Sequence, residues 1–311
     1  MKTISLVTPC YNEEAGIREC YETCRKVMEG ELADYGYEHI FIDNCSTDKT
    51  VAILKEIAAT DKRVKIIVNA RNFGPGRSPH HALLAASGDA VVPILADLQT
   101  PPSVLSEMVR HWAAGSKVVI AVRRDSDERG LMVLARKAFY ALLKRFSKVD
   151  QIPNFIGYGL YDRQVMDVMR SLNEPDPYFR GLVPEIGFER AVVEYDQPGR
   201  RHGRSRNGLL DLVDIALLGI TTFSKAPMRL MTVVGFIVAS LSLLAAFVYL
   251  CVKLLFWNSV PVGITPILLA TFFFGAVQLL ALGLVGEYVG LLLQYARKFP
   301  LVVEKERVNF D

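Results

Sequence analysis

Val91-Val92-Pro93-Ile94-Leu95-Ala96-Asp97-Leu98-Gln99-Thr100-Pro101-Pro102 is the stretch on which the fold of this chain turns. Its first half is apolar, β-branched and uncharged from Val91 to Ala96, the composition of a strand buried on both faces of a parallel sheet. The run breaks at Asp97, and Pro101-Pro102 stop the strand and open a helix near Ser103. An acidic side chain at the carboxyl end of a central strand stands where open α/β sheets place their ligand chemistry. On an extended chain Asp97 and Gln99 point to the same side. A carboxylate beside an amide oxygen is an all-oxygen pair suited to Mg²⁺ or Mn²⁺. The competing reading makes Asp97 the cap of the helix that follows.

Outward from this stretch, apolar strands at residues 3–9, 38–42, 64–68 and 118–122 alternate with helical segments. That alternation is the mark of a doubly wound, mostly parallel sheet. Polar loops fall at the strand carboxyl ends, at 10–14, 43–48, 71–77, 97–99 and 123–129, and together they frame one crevice. The loop Arg71-Asn72-Phe73-Gly74-Pro75-Gly76-Arg77 fits neither a dinucleotide-binding nor a Walker A pattern, which argues against both classes. Residues 130–147 form an amphipathic pattern with Arg136, Lys137, Lys144 and Arg145 on its polar face, suited to an anionic membrane surface. The alternative is a solvated face on a globular helix. A second apolar segment, 209–223, would run along the interface towards Pro227.

Leu230 to Val252 carries no charge and is long enough to cross about 30 Å of hydrocarbon. A second uncharged run reaches Gly286 after an interruption rich in turn formers, so two spanning helices are expected, at about 229–256 and 267–294. Lys225 and Arg229 precede the first, Arg297, Lys298, Lys305 and Arg307 follow the second, and the connection has neither Lys nor Arg. This asymmetry places both termini and the sheet domain on the cytoplasmic side of the plasma (inner) membrane. No cleavable signal is read ahead of the first strand. The 5 cysteines show no metal-ligand spacing, and a net charge of +3 gives no reason to expect a nucleic-acid partner. The expected organisation is a sheet domain over 1–200, a juxtamembrane amphipathic segment over 201–228, two spanning helices over 229–296 and a tail over 297–311.

The motifs Val7-Thr8-Pro9-Cys10-Tyr11-Asn12-Glu13-Glu14, Ile42-Asp43-Asn44-Cys45-Ser46-Thr47-Asp48, Asn72-Phe73-Gly74, Ala96-Asp97-Leu98-Gln99-Thr100-Pro101-Pro102, Arg200-Arg201-His202-Gly203-Arg204-Ser205-Arg206 and Gly286-Glu287-Tyr288-Val289-Gly290 occur in this order. In them the chain resembles glycosyltransferase family 2, and within it the polyprenyl-phosphate glycosyltransferases. The resemblance implies a GT-A fold and inverting transfer of a sugar, glucose and a UDP-sugar donor being favoured, to polyprenyl (undecaprenyl) phosphate. By matched position it implies that Pro9, Tyr11, Glu13 and Asp43 hold the nucleoside. Asp97 and Gln99 would hold Mg²⁺ or Mn²⁺, and Arg123, Arg136 and Arg206 would meet the acceptor phosphate or the leaving diphosphate. It also points to a homotetramer. Two positions depart from the family pattern: Leu95 stands where a first metal-site Asp is common, and Gly157 where relatives have an Asp near the acceptor, so that either the phosphate nucleophile manages without it or Asp162 or another group substitutes. Two other classes were weighed. A processive polysaccharide synthase would carry Gln-x-x-Arg-Trp, which this chain lacks, and a nucleotide-sugar-binding membrane scaffold would bind without turnover.

Overall fold

The computed structural model describes residues 1–124, 152, 155–172, 174, 177, 179–196, 226–255, 263–296 and 299–310. Arg136 and Arg206, with the amphipathic segments around them, lie outside the described residues. The chain divides into two compact units, one holding the sheet together with residues 298–311 and one holding the two long helices.

In the sheet unit the elements follow the alternation expected from sequence. They are β1 (Thr3–Cys10), α1 (Ile17–Gly30), β2 (Gly36–Asp43), α2 (Thr50–Thr60), β3 (Val64–Asn69), α3 (Gly74–Ala85), β4 (Ala90–Pro93), α4 (Leu105–Ala113) and β5 (Val118–Arg123). Beyond them stand β6 (Phe155–Asp162), α5 (Arg163–Leu172), α6 (Phe179–Ile186), β7 (Arg190–Tyr195) and, after the long helices, β8 (Glu304–Val308). The 8-stranded sheet runs β7-β5-β6-β4-β1-β2-β3-β8. β1, β2, β3 and β4 pair in parallel, as do β5 and β7. β6 is antiparallel to both its neighbours and β8 to β3.

The parallel strands are buried on both faces, and alternate side chains feed two cores. Ile4, Leu6 and Val92 face α1 and α4, with Cys24, Met28, Leu105 and Trp112 among their neighbours. Phe41 and Ile66 continue that face beneath α1 and α2 with Ile17 and Leu54. Val7, Ile40, Ile42 and Val91 face the other way, onto Ala82 and Leu83 of α3 and Val165 and Met166 of α5. Gly159 is dictated by close strand approach: a Cβ there would stand 2.5 Å from the carbonyl oxygen of Val119 on β5.

Three strands were not read from sequence. β8 is the most consequential, because it turns the expected tail 297–311 into the edge of the sheet beside β3. Its side chains alternate between half-buried and exposed, and its place is fixed by backbone pairing and by ion pairs such as Lys55–Glu306 at 2.7 Å.

The second unit consists of α7 (Ala226–Leu255) and α8 (Ile264–Ala296), which touch one another. Both are long and apolar enough to cross a membrane, over Met231–Tyr249 and Phe273–Gly290. Their large apolar side chains are turned outward, Phe236 being 74% and Leu279 72% exposed, so they are not core helices of a soluble domain.

Candidate active site

Parallel pairing places every βα loop at one edge of the sheet, and register fixes which residues share it. Cys10 stands opposite Asp43 and Pro9 opposite Ile42, so the loops that follow β1 and β2 leave side by side. β4 leaves the ladder at Pro93 opposite Val7, and the Ile94 amide still donates to the Val7 carbonyl at 2.8 Å. Pro9, Tyr11, Glu13, Asp43 and Asp97 therefore meet at the carboxyl edge of three adjacent strands. Arg123 closes β5 at the same edge, with β6 between β5 and β4. At the usual strand spacing that is about 10 Å from β4.

The first two loops are laced together. The Asn12 amide donates to Ser46 Oγ at 2.9 Å, Thr47 N to Asn12 Oδ1 at 2.7 Å, and Glu13 N to Thr50 Oγ1 at 2.9 Å. Asn12 and Cys45 take left-handed conformations, with φ of 55° and 68°, which these cross-links hold in place. The Glu13 carbonyl accepts from Gly16 and Ile17 at 3.0 and 2.9 Å and so starts α1. Between them Asp43 is buried, and its Oδ2 accepts from the Ser46 amide at 2.9 Å while Oδ1 has no partner among the described residues. Burial drives the Asp43 carboxyl above the usual carboxylate range despite the hydrogen bonds from Ser46. A buried acceptor without a donor, at the mouth of a crevice, fits a ligand N–H or O–H.

The third loop is tied to the second by amides that the sequence reading did not single out as functional. Asn44 Nδ2 donates to Asn72 Oδ1 at 2.9 Å, and Asn44 Oδ1 accepts from Asn69 Nδ2 at 3.1 Å and from the Phe73 amide at 2.9 Å. Asn69 Nδ2 also reaches Ser78 Oγ at 2.9 Å, so one network shapes residues 71–73 and Gly74–Arg77, the second half of the expected loop, which is the first turn of α3. The signal for it was present in Asn44, which follows β2, and Asn69, which ends β3, a residue type suited to turns. His80 is buried in α3 with neither ring nitrogen bonded among the described residues, and desolvation lowers its pKa to about 4. Its neighbour His81 is half-buried and pairs with Glu304 of β8 at 2.5 Å.

The turn that carries Asp97 corrects the opening expectation. The strand ends at Pro93, and Asp97 and Gln99 do not lie on extended chain. Leu98 adopts φ 55° and its amide donates to the Leu95 carbonyl at 3.0 Å, which folds residues 95–98 into a tight turn. Thr100 Oγ1 accepts from the Leu95 amide at 2.8 Å and locks the far side. Asp97 does not cap α4 either: its Oδ1 accepts from the Gln99 amide at 3.1 Å and stabilises its own turn. Asp97 is only 8% exposed, whereas Gln99 is half-buried. Among the described residues no three His, Cys, Asp or Glu gather into a metal-binding cluster. A single recessed carboxylate nevertheless fits Mg²⁺-like ions, which take one or two protein carboxylates and complete their shell with substrate phosphates and water. The same turn walls a cavity of about 480 Å³ lined by Val27, Leu98, Pro101, Arg124 and Tyr195 among others.

Of the two departures from the family pattern, the one at Gly157 has a structural reason. Gly157 sits at φ +96°, a left-handed conformation that disfavours any side chain, with Phe179 at 3.4 Å from the place a Cβ would take. Asp162 does not replace the missing carboxylate. It pairs with Ala90 at the amino end of β4, the opposite edge of the sheet, and binds Trp112 Nε1 at 2.8 Å and Lys117 Nζ at 3.3 Å.

With this geometry in view, the model of glycosyl transferase family 2 matches residues 5–168, a span that contains the first four loops of the crevice and Arg123. The chain belongs to glycosyltransferase family 2. It is similar to YkcC, a glycosyltransferase of Bacillus subtilis, at 36% identity over 99% of this chain and 94% of the relative. It is similar to the SfII prophage-derived bactoprenol glucosyl transferase of Shigella flexneri at 35% identity over 97% of each chain. Among solved structures, glucosyl-3-phosphoglycerate synthase from Mycobacterium tuberculosis aligns with a TM-score of 0.49 at 23% identity, over 71% of this chain and 77% of that one. As a family 2 member the chain is a glycosyltransferase with a GT-A sheet and two apolar C-terminal helices.

Proposed function

We propose that this glycosyltransferase moves a sugar from a nucleotide diphosphate donor, with UDP-glucose favoured, onto polyprenyl phosphate at the cytoplasmic face of the membrane, inverting the anomeric carbon. The observation that carries the reading is the similarity to a bactoprenol glucosyl transferase over 97% of both chains, which takes in the two apolar helices as well as the sheet. A lipid acceptor explains why a sheet enzyme carries a pair of helices with outward apolar faces. Because β8 pairs with β3, the chain before the first helix and the chain after the second belong to one sheet, and an even number of crossings satisfies that.

The nucleoside would lie across the ends of β1 and β2, between Pro9, Tyr11 and Glu13 on one side and Asp43 on the other, with 71–77 as a wall. Asp43 Oδ1 would accept from a base or ribose donor. Asp97, with Gln99, would hold a divalent cation, which supplies positive charge against the leaving diphosphate. Arg123 would meet the acceptor phosphate or that diphosphate through its planar fork, and Arg136 and Arg206 are proposed for the same task. The acceptor is already an ionised oxyanion, so the reaction has little need of a strong general base. The glycine at position 157 and the far placement of Asp162 leave that economy intact. Direct attack by the lipid phosphate on the face opposite the leaving group inverts configuration. The oligomer proposed is a homotetramer.

The test uses full-length protein in detergent with Mn²⁺, polyprenyl phosphate and labelled UDP-, GDP- and dTDP-sugars in turn. Label entering the organic phase with one donor, at least about 100-fold more slowly in Asp97→Asn, supports the proposal. Donor binding without transfer from any sugar would favour the scaffold and overturn it.

A further inference from the structure

We propose that the C-terminal segment 299–310 is a working part of the donor site, with His81 and Glu304 as positioning residues that set the glycine-rich loop 71–77. The inference rests on the reading of that loop as a wall of the donor site. It assigns a role to residues that follow the last apolar helix and lie outside the family match at 5–168.

The loop hangs between two holdings. On the crevice side, Asn44, Asn69 and Asn72 fix its first half through side-chain amides, and Gly74 N donates to Asn72 Oδ1 at 2.8 Å. On the other side, among the described residues, the hydrogen bonds come from the C-terminal segment. β8 pairs with β3 to its last residue, Asn69 opposite Glu304, and the Ala70 amide then donates to the Val303 carbonyl at 2.9 Å. Pairing therefore reaches to the residue before the loop. The register shifts between Val68 and Asn69, where Lys305 of β8 is the extra residue and pairing then resumes with Glu304 opposite Asn69. At the loop's far end Arg77 donates to the Pro300 carbonyl at 3.1 Å and lies 5.8 Å from the centre of the Phe299 ring. Two turns into α3, His81 meets Glu304 at 2.5 Å, and Arg307 holds the same carboxylate at 2.6 and 2.8 Å.

Glu304 is thus the centre of the clamp. It stands opposite Asn69 in the sheet, it bonds a ring on α3, and Arg307 fixes its rotamer. Loops set by such ties lose binding affinity when released, because the ordering cost then falls on the ligand. A clamp that only stabilised the sheet would act equally through Lys55, whose 2.7 Å pair with Glu306 lies on the same strand but grips α2 instead of α3.

The experiment compares full-length wild type, His81→Ala, Glu304→Ala, the double variant and Lys55→Ala, using whichever of UDP-glucose, GDP-mannose or dTDP-glucose supports transfer. Expected are donor KM values raised about tenfold in each single variant, no further rise in the double, and kcat within about twofold of wild type. Lys55→Ala should leave KM unchanged. Hydrogen exchange of amides 71–77, measured without any donor, should quicken in Glu304→Ala. Unchanged exchange there, or a KM rise in Lys55→Ala equal to that in Glu304→Ala, overturns the proposal. A wild type that turns over none of the donors removes the donor-site reading instead, and exchange at 71–77 still reports whether the clamp exists.

Discussion

Asp43 combines two properties that pull against each other. It is buried, one of its oxygens has no donor, and burial holds its carboxyl above the usual range. A carboxyl whose pKa is higher in the fold than in the unfolded chain weakens the fold as pH rises through that window, so its charge at neutral pH is a cost to stability. Asp43→Asn keeps an oxygen for the Ser46 amide and removes the charge. The expected signature is a melting temperature that holds or rises while donor affinity falls about ten- to hundredfold, read by calorimetry with the nucleotide. Loss of both together would make Asp43 a structural residue. The placement of Asp43 and Asp97 at the sheet's carboxyl edge was legible because each is an acidic residue that ends an apolar run. The paired geometry of Asp97 and Gln99 was not legible, because it depends on Leu98 entering the left-handed region, a choice made by Thr100 and the Leu95 carbonyl. Nothing in the local pattern announces it.

The elements divide by what stabilises them. β1 to β5 were readable because strands buried on both faces must be nearly all apolar. β6 carries two glycines and lies antiparallel, and β8 is a charged edge strand held by backbone pairing, so neither leaves an apolar signature. Helix α3 hides a different property. Its His80 is buried with both nitrogens unbonded and a pKa lowered to about 4, while His39 on β2 touches Thr8 Oγ1 at 2.9 Å and is lowered to about 3. Both rings fold neutral, and the unfolded chain takes up their protons near pH 6.5. Their contribution is complete above that pH and is lost as pH falls from 6.5 towards 4, at up to about 1.4 kcal/mol per pH unit for each ring. Melting measured from pH 7 to pH 5 should therefore fall steeply in wild type and less steeply in His80→Leu. Because His80 has no hydrogen bond to lose, that variant should melt no lower than wild type at pH 7. Equal slopes in the two proteins would contradict the placement of His80.

At the scale of the whole molecule, the sequence yielded two apolar spans and one sheet but not their connection. The spans at about 229–256 and 267–294 correspond to α7 and α8, and the tail that should have trailed away returns as β8 to pair with β3 at the sheet's edge. With both helices spanning the membrane, as proposed, this return keeps the sheet and the last residues on one side of it. That arrangement suits a lipid acceptor whose phosphate, not a hydroxyl, does the attacking. The measurement that goes straight to this chemistry is the structure of the product by phosphorus and proton NMR after reaction of an α-linked nucleotide sugar with polyprenyl phosphate. A phosphodiester carrying a β-linked sugar is the predicted result. Free sugar, a sugar joined through any atom other than the lipid phosphate oxygen, or retention of the α configuration would contradict it.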